Sequence, residues 1–313
     1  MKAFKIKSAL SEKQIEADVT TYFGWISPIN QRYPFRLLDI NESITGADKL
    51  YDYVIPIYLQ FKVSHGLKPL SFRIPIEIGL SKISSLNKIF GLDKIIGLNK
   101  IRAFRRKNEL YDNPTLYFQL RERAATAEDF QHNILLKFAN TGMSHAFYVA
   151  PLTLDMNSYR NMLYEENNRF LQDPFFHKEI FIIQKKWISA LGMVPFLRGH
   201  ISIPPHERVD THEHYFSFSP SGTDIAWHSP NVISRDASRL SDQLVRILNT
   251  NSWTPIESYW RLLLEQDLVS NSDAGDNSQN FLYNLQRFGR TLYEKHEIRQ
   301  LLILSTKEFV ESK

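Results

Sequence analysis

The chain contains no cysteine. That excludes disulfides, thiolate zinc sites and cysteine nucleophiles. It has no uncharged apolar run near the roughly 18 residues that a membrane span needs. Its opening, MKAFKIKSALSEKQ, lacks an apolar core of signal-peptide length. A soluble, cytoplasmic protein without membrane contact is therefore expected. Neither a nucleophile-elbow sequence for Ser-His-Asp chemistry nor a Walker-type loop occurs. Net charge is also scarce, at only +4.

What is present suits a folded protein of one large domain or two ordinary ones. Of 313 residues, 43% are hydrophobic and 13% aromatic, enough for a sizeable core. At 23% charged, the chain falls in the globular range. The modest charge is unevenly spread. Between Gly79 and Leu110 stand eight basic residues, Arg105 and Arg106 among them, and two acids. That local +6 leaves −2 for the remainder and is the electrostatic footprint of a polyanion binder. Most of the segment is a tandem hexapeptide: GLSKIS, SLNKIF, GLDKII, GLNKIR over residues 79–102. Leu or Ile at every third position would drift around an α-helix rather than form a stripe. The block, 79–107 with its basic tail, reads as a low-complexity insertion, with part of it open to a helical reading.

The flanking pattern is α/β. Ser11 and Gln14 make a capping box, and Ile15, Val19, Tyr22 and Phe23 recur at helical spacing up to Gly24. Strands are expected at 47–53 and 57–64, with Pro56 near the turn between them, and at 72–78. Leu116, Phe118 and Leu120 suggest another strand, and Thr126 caps a helix over 127–140. His145 to Leu152 reads as a buried strand. Beyond it come a helix around 157–171, a strand at 180–183 and a hairpin turning at Pro220-Ser221-Gly222. Helices at 236–249, 254–267 and 278–294 and a strand at 301–304 follow. A core over 1–152 with an α/β elaboration at 153–313 packed on it is the expected organisation.

One short constellation carries chemistry. Asp48 closes Thr45-Gly46-Ala47-Asp48, and Gln60-Phe61-Lys62 follows within an apolar run. On a strand Gln60 and Lys62 share one face, while Leu59, Phe61 and Val63 share the other. The polar face can hold a hard cation and a phosphate. With Gln at position 60, one anionic ligand is missing and a further acid is wanted. Measured from Ile15, Glu12 lies about 60° round the helical wheel, toward the packed face. Glu16 lies at about 100°, just past its edge. Glu42 is a third candidate. Glu12 would equally serve the helix N-terminus electrostatically.

A glutamate on a first helix, a strand ending Gly46-Ala47-Asp48, then Gln60-Phe61-Lys62 on the next strand resembles the PD-(D/E)XK, or restriction-endonuclease-like, superfamily. The likeness is greatest to the Mrr-like branch, where Gln replaces the second acid. It covers roughly residues 11–152, with Ala47 where the family usually has proline. The resemblance implies an α/β core of helix, mixed sheet and flanking helices, and Mg²⁺- or Mn²⁺-dependent cleavage of DNA. Asp48, Glu12 and Gln60 would hold metal, and Lys62 would serve the attacking water and the phosphate. Gln131, Arg105 and Arg106 would contact nucleic acid. Defence against foreign DNA is the family-level expectation.

Some members only bind, so a non-catalytic nucleic-acid or protein-interaction module is a second expectation. A third is an assembly subunit, homo-oligomeric or bound to a partner protein, docking through the repeats. His132 is expected to pack locally. His206, His212, His214 and His228 cluster in sequence without strict zinc-ligand spacing. The tryptophans and tyrosines are expected mostly in the core.

Overall fold

The computed structural model describes residues 5–26, 35–39, 51–68, 92–110, 113–123, 127–164, 195–227, 231–234, 238–250, 252–269 and 280–311. In chain order the elements are β1 (Lys5–Ile6), α1 (Glu12–Ile26), β2 (Phe35–Asp39), β3 (Tyr53–Phe61), β4 (His65–Leu67), α2 (Leu92–Lys107), β5 (Thr115–Gln119), α3 (Gln131–Ala139), β6 (His145–Pro151) and α4 (Met156–Tyr164). Then follow α5 (Pro195–Arg198), β7 (His200–Ile203), β8 (Tyr215–Phe218), β9 (Ile225–Trp227), β10 (Asn231–Ser234), β11 (Ser238–Arg239), α6 (Leu240–Asn249), β12 (Thr254–Pro255), α7 (Ile256–Glu265), α8 (Phe281–His296), β13 (Arg299–Ser305) and α9 (Lys307–Glu311). The expected strands at 72–78 and 180–183 and the cap at Thr126 lie outside the described residues. Among those described, no helix is long and apolar enough to cross a membrane.

The fold is α/β with two sheets. A mixed sheet runs β11-β7-β6-β3-β13-β2, with β12 also on β3. Its β3 and β6 are parallel, and its other pairs are antiparallel. An antiparallel sheet runs β1-β4-β5-β8-β9-β10. Strands from both sides of residue 152 enter both sheets. The expected boundary at residue 152 thus has strands of the same sheets on either side of it. β13 lies between β2 and β3, inside the sheet rather than on it.

Alternation along β3 sets the two cores. Ile55, Ile57, Leu59 and Phe61 join Ile15, Val19 and Phe23 of α1 and Leu244 and Ile247 of α6. Val54 and Tyr58 point the other way, to Leu135 and Phe138 of α3, Trp260 of α7 and Phe288 of α8. Pro56 does not mark a turn as expected, because 53–61 is one strand. It stands opposite Leu302, where the other edge changes partner from β12 at residue 54 to β6 at residue 57. A residue with no N–H to donate fits such a gap.

The hexapeptide block is helical over its described part, Leu92–Lys107. α2 takes in the last two copies from Leu92 onward, and its buried side chains include Leu98, Ile101, Arg102 and Arg105, at the spacing of a helix face. Leucine and isoleucine alone do not complete that face; two arginines do. Arg105, fully buried, pairs with Asp224 at 2.5 Å and reaches Ser217 Oγ at 3.5 Å. Leu98 and Ile101 pack on Leu67, Tyr117 and Tyr215 of the antiparallel sheet.

Candidate functional site

The site forms where β3 ends against α1, α3 and the last turn of α8. The N-cap Ser11 accepts from the Gln14 N–H at 3.2 Å, which fixes the start of α1. The Gln14 side chain does not close the expected box but donates to Asp18 at 2.7 Å. Glu12 is the first helical residue and remains 43% exposed at its side chain. Lys62 follows β3 directly, its N–H donating to Val149 O at 2.9 Å.

The Lys62 side chain is 7% exposed, with Nζ 3.2 Å from Glu12 Oε1 and 3.5 Å from Gln131 Oε1. Burial lowers the Lys62 pKa, and the Glu12 carboxylate opposes that shift. Arg121 lowers it further and Glu297 raises it, so both charges lie within its field. Gln131 spans the site by donating to His296 O at the end of α8. Glu12 Oε1 is near Lys62 without hydrogen-bond alignment, and Gln60 Oε1, in a residue 2% exposed, has no hydrogen-bond partner in the structure. These two oxygens are the ligand type a hard cation takes.

The structure thus brings Glu12, Lys62 and Gln131 together, with Gln60 on the Lys62 face of the strand. Asp48 and Glu42 lie outside the described residues. Glu16, expected to be the more peripheral glutamate, is buried. Arg299 donates to its Oε1 through Nε at 3.0 Å and Nη2 at 2.5 Å. Its carboxylate is a structural partner, because a helix wheel cannot foresee a guanidinium arriving from β13. Arg105, expected to contact nucleic acid, is instead buried and paired with Asp224, whereas Arg106 is exposed at the end of α2.

His132 packs locally, as expected. Nε2 is 2.9 Å from Glu207 O and Nδ1 is 2.8 Å from Tyr148 OH. A carbonyl only accepts, so Nε2 carries the proton and Nδ1 accepts from the tyrosine. Burial pushes the His132 pKa down to about 4. His214 stacks on Trp227 at 5.1 Å between centroids, and His212 lies 3.3 Å from Glu122. His228 lies outside the described residues. Among the described residues, no three His, Asp or Glu side chains form a metal-binding group.

Several neighbours of the site carried no sequence signal. Arg121 and Glu297 form an ion pair beside Lys62. Lys13 Nζ donates to Tyr293 OH at 2.9 Å, and the Arg299 guanidinium lies 4.2 Å from the Tyr293 ring centroid. All come from segments remote in sequence from Gln60 and Lys62. Comparison with family models, curated proteins and solved structures finds no match for this chain.

Proposed function

We propose that this chain is a metal-dependent nuclease acting on DNA, with a restriction-endonuclease-like site at the end of β3. The observation that supports this reading is the convergence of Glu12 on Lys62 at 3.2 Å, two residues along the chain from Gln60, whose buried side-chain oxygen has no hydrogen-bond partner in the structure. Glu12, Gln60 and Asp48 would hold Mg²⁺ or Mn²⁺. Such an ion, when bound, polarises a phosphodiester and lowers the pKa of its own water. Lys62 contributes a buried cation directed at a polyanionic substrate, in a setting where water screens it little. Glu12 draws that ammonium into place, and Gln131 limits where it can go. Arg106, exposed on α2, supplies a backbone-phosphate contact. Action in the cytoplasm against foreign DNA is the biological role that follows from the resemblance.

The test incubates the purified chain with supercoiled and linear DNA in Mg²⁺, Mn²⁺ or EDTA. Metal-dependent nicking that Lys62→Ala abolishes is the expected result. A second reading is a binding module that does not cut. It is favoured by Gln60, which stands where the motif otherwise carries its second acid. Salt-sensitive DNA binding with no cleavage in any metal would establish it and overturn the first.

A further inference from the structure

A cavity of about 540 Å³ opens where β6 begins, bounded by that strand, β7, β11 and α6. Ligand pockets run from about 300 to 1,000 Å³. His145 lines this one and stands opposite Ile57 in the parallel pairing of β3 with β6. Lys62 follows Phe61 at the other end of β3, about 16 Å away along the strand direction at about 3.3 Å per residue. The cavity is therefore separate from the Glu12–Lys62 site.

Two groups of side chains line it. On one side, Ser238 of β11 stands opposite Ser202 of β7, and Ser202 Oγ donates to Ser238 O at 2.9 Å. Arg246, exposed in the last turn of α6, donates to Ser238 Oγ. That hydroxyl, having accepted, keeps its own proton to give. The guanidinium has further N–H groups in its planar fork, the geometry that suits phosphate oxygens. Gln243, one turn earlier on α6, adds an amide. No Asp or Glu is among the described residues that line the cavity, so nothing there repels an anion.

On the other side, alternation along β6 sets His145 on the same face as Phe147. Phe147 lines the cavity as an aromatic wall. His145 Nε2 is buried and has no hydrogen-bond partner in the structure. Buried polar atoms are nearly always paired, so this nitrogen marks a place for a ligand atom. As donor or acceptor, according to tautomer, it finds a match on the edge of a nucleobase, which carries both. The ring face of a base suits Phe147.

We infer that this cavity binds a nucleoside monophosphate, with its phosphate at the linked Arg246 and Ser238 and its base in the part lined by His145 and Phe147. The inference goes beyond the nuclease reading and does not depend on it.

The test is isothermal titration calorimetry of the full chain with each of the four deoxynucleoside 5′-monophosphates, without metal, and with inorganic phosphate alone. At least one nucleotide is expected to bind with Kd below about 1 mM, and about tenfold or more tighter than phosphate. Arg246→Gln is expected to weaken that nucleotide about tenfold or more by removing charge-assisted hydrogen bonds. Its Tm should match wild type, because the side chain is exposed. His145→Phe, which keeps a ring in place, is expected to weaken the nucleotide as well. Lys62→Met should bind it like wild type, which separates this cavity from the Lys62 site. The inference falls if none of the four nucleotides binds, or if phosphate alone binds as tightly. It also falls if Arg246→Gln and His145→Phe both bind like wild type, or if Lys62→Met is the variant that loses the nucleotide.

Discussion

Lys62 Nζ and Glu12 Oε1 lie 3.2 Å apart, the lysine side chain 7% exposed and the glutamate 43%. The asymmetry separates catalytic from structural effects. Glu12 keeps much of its hydration if the lysine is removed, so no buried charge is stranded. Lys62→Met is expected to change unfolding free energy by no more than about 1 kcal/mol. Lys62→Ala is expected to reduce DNA nicking about 100-fold or more. Urea denaturation and a plasmid-nicking time course measure the two. Full cleavage by the Ala variant would remove Lys62 from the reaction.

The two glutamates of α1 are expected to behave oppositely. Glu16→Ala leaves Arg299, 9% exposed at its side chain, without its carboxylate. A loss of about 3–5 kcal/mol is expected. Glu12→Gln is expected to leave the denaturation midpoint nearly unchanged and to eliminate cleavage. Equal destabilisation by the two changes would show that Glu12 is also a structural anchor.

Arg105 and Arg106, adjacent in sequence, are separated by burial. Arg105→Ala strands the buried Asp224 carboxylate, and a cost of about 3–5 kcal/mol is expected. Arg106→Ala is expected to shift stability by less than about 0.5 kcal/mol. Its effect should appear instead in DNA binding, where the logarithmic salt slope falls by about 1. Fluorescence anisotropy at several salt concentrations reads that slope; an unchanged slope would place the phosphate contact elsewhere.

Acid sensitivity is expected from two buried histidines. Burial lowers His132 and His200 to about 4, from the ordinary 6.5. The unfolded chain takes up these protons first as pH falls. Their stabilising contribution is therefore complete above pH 6.5 and is lost on descending from 6.5 to 4. Linkage sets the loss at roughly 3 kcal/mol for each histidine. Urea midpoints at pH 7 and pH 4.5 should differ accordingly, and His200→Gln should reduce the difference. A flat profile over that window would contradict the neutral buried assignment.

Local patterns were legible in the sequence, and distant partnerships were not. The α1 face of Ile15, Val19, Tyr22 and Phe23 is buried as its spacing predicts. The hairpin through Gly222 forms with Phe216 opposite Trp227, and that glycine takes φ 66°. Gln60 and Lys62 are both buried, and Glu12 approaches Lys62, but the helical wheel ranks the two glutamates of α1 the wrong way round, because Glu16 is the buried one and Glu12 stays 43% exposed. By contrast, Pro56 reads as a break until its partner strands are known. Arg102 and Arg105 read as solvent-facing charge until Asp224 and the antiparallel sheet are in place. Glu297 and Arg121 have no local pattern at all, because only tertiary packing brings them to Lys62.

The place of β13 has a consequence for synthesis on the ribosome. The gap between β2 and β3 can be filled only after residue 305 has emerged, so shorter nascent chains hold an open sheet with two bare edges. Arg299, which secures Glu16, and Glu297 arrive with that same closing strand. A chain interrupted before His296 lacks the guanidinium that holds Glu16 and the His296 carbonyl that holds Gln131, so α1 and α3 meet at Lys62 without those two ties.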